Sequence, residues 1–439
     1  MRIAIFTDVY HPMVNGVVVS IDNLSSNLVR RGHEVQIFTV KVWKKAKPPK
    51  GVKINYYKGI ILPTLKDVKI ATPNTFNIIK KIRKFNPDVI HSMTQFSMGS
   101  QAYLSSKILN IPLVYTEHTH IVDFTRYVSI KEVDGLKKIE LLAKVMIGTQ
   151  INLLLVYSFY LISSYKSLNK VSRLLEKKAK SLRKNKRRSK KGSYLHRFLW
   201  YYLSFFYNNA DVLTTPSEVM KKVMKKHGAK PEIIVVSNGI DRKAFHKMKV
   251  RRSKEFKIIH VGRISWEKNI DVTIKAVAEV IKEYPNIRFE ICGTGPQLKD
   301  MKKYIKQHKL QENIKFLGFV KHSDLPKHYS SSHLFVTAST IETEGIVLLE
   351  AMSCGLPVVA VNKLACPLVV KHEKNGFIAP VGNYKKIAYY IKKFIEDKTL
   401  IEKMGKKSLK YSEKYDIKSI VDRWEDIYTK LEKEYRREK

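Results

Sequence analysis

Residues 337–361, TASTIETEGIVLLEAMSCGLPVVAV, decide how we expect this chain to fold. The apolar residues just before them predict a buried strand, and the apolar run at 356–361 predicts a second strand. Between the two, residues 346–353 are helix formers, and Gly355 followed by Pro357 is a helix stop. The stretch therefore predicts a strand, an acidic turn, a short helix and a strand, in the manner of an α/β protein.

The acidic turn and the short helix carry groups that suit a sugar nucleotide. The start of a helix offers unpaired N–H groups and a positive dipole end, which together bind anions such as phosphate. Glu342 precedes the helix and Glu350 lies inside it, and carboxylates accept hydrogen bonds from neighbouring hydroxyls. The alternative is that Glu342 and Glu344 only stabilise the helix dipole and that Glu350 is a surface residue.

The run from Glu342 to Val359 resembles the Glu-x7-Glu signature of retaining glycosyltransferases with the GT-B fold. The two glutamates alone would be a weak motif, but the Ala-Met-x-x-Gly-x-Pro-Val continuation makes it specific. Within that group the run is most similar to bacterial diacylglycerol (monoglycosyldiacylglycerol) glycosyltransferases. The resemblance covers most of 1–130 and 195–380, and it implies an α/β protein with two Rossmann-like domains facing a cleft.

A chain of 439 residues is long enough for two domains, and 44% apolar residues are ample for their cores. We predict an N-terminal, acceptor- and membrane-facing domain over 1–245 and a C-terminal, sugar-nucleotide-binding domain over 246–410. The segment 411–439 is predicted to cross back to the first domain, as the last helix does in this fold. An insertion at about 131–193 interrupts the first domain, and the resemblance says nothing about it.

The first strand-to-helix loop matches the opening pattern of the family. Asp8, Asn15 and Gly16 stand where that pattern has its Asp, Asn and Gly. The resemblance implies that Gly16 lets the backbone approach the donor diphosphate or sugar; the alternative is an ordinary turn glycine. The loop is not G-x-G-x-x-G, so it does not indicate a dinucleotide cofactor.

Two further residues of the first domain are candidates for the reacting end of the site. His118 directly follows a predicted strand at 111–115, at the carboxyl end where α/β sheets bind ligands. It matches the Tyr-His-Thr position of the family, where the imidazole is implied to touch the donor sugar or orient the transition state. Glu117 departs from the aromatic or small residue usual there. Asp123 is implied to contact the acceptor hydroxyl, or it only caps a helix.

Arg263 and Lys268 lie in one predicted strand-to-helix loop of the second domain. Arginine offers a bidentate fork and lysine a point charge, a suitable pair for a diphosphate. The loop matches the Gly-Arg-x-x-x-x-Lys-Asn motif of the family. The resemblance implies that four groups neutralise the leaving diphosphate: Arg263, Lys268, and the N–H groups of Ile346 and Val347. It further implies that Glu350 holds the ribose hydroxyls and Glu342 the sugar hydroxyls.

Cofactor chemistry is not indicated by the sequence. The three cysteines lack metal-ligand spacing, and neither an Asp-x-Asp metal motif nor an obvious covalent nucleophile is present. We therefore expect no protein-bound metal and no tightly bound cofactor, with UDP-glucose or UDP-galactose as the donor substrate. We also see no signal peptide at the start of the sequence.

The charge is unusual: 82 Lys and Arg against 39 Asp and Glu give a formal +43. A lysine-rich codon bias explains part of the total but not its clustering. Residues 145–164 carry no charge, and 166–191 hold thirteen basic residues against one glutamate. We interpret the uncharged segment as an interfacial or re-entrant helix and the basic segment beside it as a cluster that binds acidic lipids. The alternatives are a buried hairpin for the apolar part, and an RNA-binding arm or a loop without a partner for the basic part.

A second basic amphipathic helix is predicted at 75–86, with Phe76, Ile79, Ile82 and Phe85 on its apolar face. It either lies on an anionic bilayer or packs with a solvated basic face. We do not expect nucleic acid as a partner, because the basic cluster has no interleaved aromatic residues and no RNA-binding motif accompanies it.

Together these features predict a retaining hexosyltransferase that uses a UDP-sugar and acts on diacylglycerol or a glycolipid at an anionic membrane surface. We expect it at the cytoplasmic face of the cell membrane, as a peripheral or monotopic protein. The alternatives are a glycosyltransferase with a soluble or polyprenyl-linked acceptor, and a GT-B-fold epimerase or non-catalytic sugar-nucleotide binder.

Overall fold

The computed structural model describes residues 1–13, 15–41, 48–62, 65–71, 75–118, 194–250 and 255–437. Asp123, the apolar segment 145–164 and the basic cluster 166–191 lie outside the described residues. The described parts form two parallel β-sheets with flanking helices, which we call the first and second lobe. The predicted α/β class with two Rossmann-like domains is confirmed.

The first lobe contains a seven-stranded parallel sheet of order β3-β2-β1-β6-β7-β8-β9. Its strands are β1 (Arg2–Thr7), β2 (Glu34–Val40), β3 (Lys53–Tyr57), β6 (Val89–Ser92), β7 (Leu113–Thr116), β8 (Val212–Thr215) and β9 (Ile233–Val235). An antiparallel pair, β4 (Gly59–Leu62) and β5 (Leu65–Ala71), stands apart from it. Its helices are α1 (Gly16–Arg30), α2 (Thr75–Phe85), α3 (Ser97–Leu109), α4 (Tyr194–Tyr207) and α5 (Glu218–Lys226).

The second lobe contains a six-stranded parallel sheet of order β12-β11-β10-β13-β14-β15. Its strands are β10 (Phe256–Val261), β11 (Ile287–Cys292), β12 (Ile314–Gly318), β13 (Leu334–Val336), β14 (Val358–Val361) and β15 (Gly376–Ala379). Its helices are α6 (Ile270–Ile281), α7 (Leu298–Gln307), α8 (Leu325–Ser330), α9 (Ile346–Ser353), α10 (Cys366–Val369), α11 (Tyr384–Glu396) and α12 (Thr399–Ser412). Strands β13, β14 and β15 are continuous apolar runs, as expected where helices cover both faces of a parallel sheet.

The final helix, α13 (Ile417–Arg437), packs against the first lobe although it follows the second in sequence. Trp424 and Tyr428 join the apolar core that contains Ile3 and Ile5 of β1. The Tyr428 hydroxyl hydrogen-bonds His91 Nδ1 at 2.7 Å. Burial, helped by the neighbouring His118, lowers the pKa of His91 to about 3, so this histidine is a neutral core residue.

The apolar periodicity of residues 20–31 predicts a helix that begins at Ser20, whereas α1 begins four residues earlier, at Gly16. Asn15 is the reason, because its side-chain oxygen accepts a hydrogen bond from the Val18 N–H and caps the helix. The helix start therefore lies directly beside the loop that carries the opening motif.

The predicted apolar face of α2 is wrong at two positions. Phe76 is 78% exposed, and Ile78 is buried where Ile79 was expected to be. The buried set of Ile78, Ile82 and Phe85 follows spacings of four and three, which define one helix face. Phe76 falls outside that face, so α2 combines an exposed aromatic residue with its basic side chains.

Candidate active site

The acidic turn and α9 have the local structure that the sequence predicts. β13 leads through the turn into α9, which ends at Ser353, and β14 follows. Gly345 precedes the helix with a φ of +84°, and a Cβ there would lie 2.3 Å from the Leu348 Cδ1 atom. Glycine is therefore required at this turn. Within the described residues no hydrogen bond occupies the N–H groups of Ile346 and Val347, which leaves them available to an anion.

Lys268 and Glu342 form an ion pair in which Lys268 Nζ lies 2.5 Å from Glu342 Oε1. Lys268 ends a short 3-10 turn (Trp266–Lys268) after β10, and Glu342 lies in the acidic turn after the neighbouring strand β13. Burial alone would raise the pKa of Glu342, but the Lys268 ammonium outweighs it and holds the pKa below its ordinary value. Glu342 is therefore an ionised, mostly buried carboxylate at neutral pH.

Arg263 lies in the same strand-to-helix loop as Lys268 but is exposed, and it pairs with none of the described residues. Its loop is packed directly against the turn after β11. The Ile264 N–H donates to the Thr294 carbonyl at 2.9 Å, and a Cβ on Gly293 would lie 1.9 Å from the Gly262 carbonyl oxygen. This contact holds the Arg263 loop against the adjacent turn.

Gly293→Ala should destabilise the second lobe by more than backbone strain alone. Gly293 has a φ of +147°, and such strain costs about 1–3 kcal/mol, to which the clash with Gly262 adds. Thermal and denaturant unfolding measure the loss. Gly382→Ala is the matched control, because Gly382 also has a positive φ, +76°, but open space around it. Equal destabilisation by the two variants would show that the two loops do not constrain each other.

Glu350 is buried, 2% exposed, so the alternative that it is a surface residue is wrong. The Tyr329 hydroxyl donates to Glu350 Oε2 at 2.9 Å, and His322 Nε2 hydrogen-bonds Oε1 at 2.8 Å. Burial alone would lower the pKa of His322, but the Glu350 carboxylate raises it above its ordinary value. His322 follows β12, and no sequence motif pointed to it.

A cavity of about 220 Å³ opens between the lobes beside the His322–Glu350 pair. His11 and Asp22 on its first-lobe side are hydrogen-bonded to each other at 2.5 Å. Phe319 on the second-lobe side is 62% exposed. The cavity is lined by His11, Val18, Val19, Asp22, Asn23, Phe319, Lys321 and His322. Glu350 therefore lies one hydrogen bond from a hollow shared by both lobes.

His118 lies at the junction of the lobes, beside the acidic turn. Its backbone carbonyl accepts a hydrogen bond from the Thr343 hydroxyl at 2.8 Å. The ring is buried, and neither ring nitrogen has a hydrogen-bond partner among the described residues. Burial lowers the pKa of His118 to about 4, so the imidazole is neutral at neutral pH and can donate one hydrogen bond and accept another.

Gly16 also lies at this junction. A Cβ on Gly16 would come within 3.2 Å of the Cδ1 atom of Ile346, the first residue of α9. The start of α1 in the first lobe thus faces the start of α9 in the second. A side chain at position 16 would crowd the same helix end that offers free N–H groups.

Two other motif residues belong to the core of the first lobe. Asp8 is buried and accepts hydrogen bonds from the Thr94 and Ser97 hydroxyls and from the Met98 N–H at the start of α3. Glu117, which departs from the family pattern, accepts hydrogen bonds from buried polar groups. Its donors are the Tyr115 and Tyr207 hydroxyls and the Gln95 amide. Glu117 therefore ties α4 to β7.

The structure thus brings Lys268 and Glu342 into contact and places His118 and Gly16 beside the same turn and helix start. Glu350 sits further along α9, and Arg263 touches neither carboxylate. The sequence did not reveal His322 or the contacts of Thr343. Nor did it reveal His260, a buried residue of β10 whose Nε2 lacks a partner among the described residues. Such groups are detectable only through contacts distant in sequence.

Two features are absent from the described ranges. No three His, Cys, Asp or Glu side chains there cluster as metal ligands would. Likewise, none of the helices in the described part of the chain is both long and apolar enough to cross a membrane.

Family models match both lobes of the chain. The model for group 1 glycosyl transferases matches residues 241–411. The model for glycosyltransferase family 4 matches residues 14–144 and 174–244.

Curated proteins with similar sequences include two α-monoglucosyldiacylglycerol synthases. The one from Streptococcus pneumoniae is 26% identical over 374 residues, covering 82% of this chain and 71% of its own. The one from Acholeplasma laidlawii is 28% identical over 393 residues, covering 86% and 84%. Among solved structures, Anabaena Alr3699/HepE in complex with UDP-glucose superposes with a TM-score of 0.68 at 18% identity, covering 98% of this chain and 100% of that one. The structural likeness supports the fold.

Proposed function

This chain is a glycosyltransferase with the GT-B fold, and from that premise we propose that it transfers a hexose from UDP-glucose or UDP-galactose to diacylglycerol or a glycolipid, with retention of the anomeric configuration. One observation carries the proposal. Glu342, paired with the Lys268 ammonium from the neighbouring loop, lies in the turn that leads to the free N–H groups of Ile346 and Val347. Lys268 and the helix N–H groups can bind a diphosphate, and the Glu342 carboxylate can accept hydrogen bonds from sugar hydroxyls.

The leaving diphosphate gains negative charge as its bond to the sugar breaks. We assign its stabilisation to Arg263, Lys268 and the first N–H groups of α9. Because Lys268 is anchored to the acidic turn that leads into α9, Lys268 and the N–H groups of α9 would be in place before the reaction begins. The exposed Arg263 side chain is free to fold onto a bound diphosphate.

The two motif carboxylates would hold the two sugars of the donor. Glu350, beside the cavity between the lobes, would accept hydrogen bonds from the ribose hydroxyls, exchanging its bond with His322 for one of them. Glu342, kept ionised by Lys268, would accept hydrogen bonds from hydroxyls of the transferred hexose. Each role uses a carboxylate that is already desolvated, so binding costs little further desolvation.

His118 would contact the hexose from the first lobe. Its ring is neutral and buried, and it lacks protein partners among the described residues, so a sugar hydroxyl can satisfy one of its nitrogens. In the transfer, the bond from the anomeric carbon to the phosphate oxygen breaks and a bond to the acceptor oxygen forms. The acceptor hydroxyl passes its proton to the departing phosphate oxygen, so the products are the glycosylated acceptor and UDP. Asp123 remains our candidate for contacting that hydroxyl.

The lipid acceptor is supported by the surface charge and by the names of the similar synthases. The formal +43 favours an anionic surface, and α2 exposes Phe76 next to Lys80, Arg83 and Lys84. A basic face with an exposed aromatic residue suits the headgroup region of an acidic bilayer. We propose peripheral or monotopic binding at the cytoplasmic face of the cell membrane.

Incubation with labelled UDP-glucose or UDP-galactose and diacylglycerol in anionic vesicles tests the proposal. We expect one labelled glycolipid whose anomeric configuration matches that of the donor, as read by NMR coupling constants. Vesicle co-sedimentation should weaken with zwitterionic lipid and with rising salt. Parallel reactions with soluble and polyprenyl-linked acceptors separate the alternatives. Transfer only to those acceptors, or an inverted product, would refute the proposed acceptor or the proposed stereochemistry.

A further inference from the structure

Two consecutive residues of the acidic turn, Thr343 and Glu344, connect the second lobe to three separate segments of the first. Thr343 donates from its hydroxyl to the His118 carbonyl after β7, and its own carbonyl accepts from the Ser217 hydroxyl after β8. Glu344 bonds the segment after β9. Because β7, β8 and β9 are neighbours in the sheet, the turn is fastened along the carboxyl edge of the first lobe.

Glu344 makes more of these hydrogen bonds between the lobes than Thr343 does. It is 3% exposed and accepts hydrogen bonds from the Ser237 hydroxyl, the Asn238 N–H at 3.1 Å and the Asn238 side-chain amide. All three donors belong to the first lobe. No lysine, arginine or histidine forms an ion pair with Glu344 among the described residues. Burial raises the pKa of Glu344 to about 7, because only neutral donors offset the loss of solvent. Burying such a polar acid is costly, so a packing role alone would be served as well by an apolar side chain.

The connection adjoins the groups proposed to act on the donor. Glu342 lies two residues before Glu344 and holds Lys268 in the second lobe. His118, whose carbonyl bonds Thr343, lies in the first lobe. The positions of Glu342 and His118 relative to one bound hexose therefore depend on the hydrogen bonds that Thr343 and Glu344 make to the first lobe.

We propose that Glu344 is a positioning residue that aligns Glu342 of the second lobe with His118 of the first on the same donor sugar. The inference rests on the proposed function. Its physical basis is that misplacing a reacting group by about 1 Å can slow the reaction by about 10²-fold. Contacts between the ligand and a single lobe would persist despite such a shift. Binding of UDP uses groups of the second lobe, so it should be insensitive to this connection.

Glu344→Ala, Glu344→Gln and Ser237→Ala test the proposal. We expect Glu344→Ala to lower kcat roughly 10- to 100-fold and to leave the Kd for UDP, measured by calorimetry, within about threefold. Glu344→Gln keeps one carbonyl acceptor and should recover part of kcat. Ser237→Ala removes one of the three donors and should give an intermediate loss in a stably folded protein. Glu402→Gln, at an exposed position in α12, is the control for loss of a carboxylate.

An interlobe distance measurement separates this inference from the proposed function. Spin labels at Lys222→Cys on α5 and Lys299→Cys on α7, both exposed, report the separation of the lobes, and the native cysteines are buried. With UDP bound, Glu344→Ala should broaden the distance distribution, whether or not diacylglycerol is the acceptor. An unchanged distribution, or an equal loss of UDP affinity and turnover with no recovery in Glu344→Gln, would overturn the positioning role. Absence of hexose transfer to any lipid in the wild type would instead overturn the proposed function.

Discussion

Lys268→Ala should lower the turnover of the UDP-sugar by about 10²–10³-fold, the usual effect of removing one preorganised donor at a developing negative charge. Two losses combine in this variant. The diphosphate loses a cation placed beside α9, and Glu342 is left buried without its partner at 2.5 Å. The pKa of Glu342 should then rise, because burial is no longer offset by the ammonium. Initial rates at saturating donor measure the effect.

Lys275→Ala is the matched control for this experiment. Lys275 is a lysine of the helix that follows, and its pair with Asp271 at 3.7 Å is exposed to solvent. Exposed pairs contribute about 0–1 kcal/mol, so we expect nearly wild-type turnover. Binding to anionic vesicles should be unchanged in both variants. Retention of more than a tenth of the wild-type rate in Lys268→Ala would contradict the assignment of Lys268 to the diphosphate.

Glu342→Gln should lower transfer by about 10²-fold while leaving the affinity for UDP itself nearly unchanged. The amide has the shape of the carboxylate but no charge, so it binds both the hexose hydroxyls and Lys268 more weakly. Because UDP lacks the hexose, its affinity serves as an internal reference. Loss of UDP affinity as large as the loss of turnover would place Glu342 at the nucleotide and not at the transferred sugar.

The double variant Lys268→Ala/Glu342→Gln tests whether the two residues act as a unit. Residues in direct contact commonly show coupling of about 0.5–3 kcal/mol, so the combined loss should be smaller than the product of the single losses. Glu279→Gln, which removes an exposed partner of Lys282, is the control for loss of a carboxylate. If the losses of turnover in the two single variants simply multiply in the double variant, Lys268 and Glu342 do not act together on the donor.

Much of the second lobe could be predicted because its signals are local. The helix start at Ile346 and its end at Ser353 follow from Gly345, Gly355 and the apolar period within one short stretch. The prediction of the buried face of α2 was wrong because its apolar residues are compatible with two different buried faces. Only packing against the rest of the lobe selects one of them. The early start of α1 was missed because Asn15 caps it before its apolar period begins.

In the candidate site, too, the sequence identified residues but not their contacts. Motif spacing singled out Lys268, Glu342 and Glu350 as residues, but not which of them touch. Glu350 pairs with His322, 28 positions earlier, and Lys268 with Glu342, 74 positions later. A role for Glu344 beyond the helix dipole could not be inferred, since its partners Ser237 and Asn238 are 107 and 106 positions away in the other lobe.

Local patterns in the chain are enough to establish the alternating strands and helices, the glycine that precedes the helix at 346–353, and the acidic and basic residues at strand ends. Those properties reside in residues close together along the chain, where capping, periodicity and backbone freedom act. Three features become visible only in the folded protein: Lys268 pairs with Glu342, His118 is buried and neutral, and Thr343 and Glu344 hydrogen-bond the two lobes to each other. Contacts between residues more than seventy positions apart depend on the strand order within each sheet and on how the two lobes meet, and no local pattern encodes either.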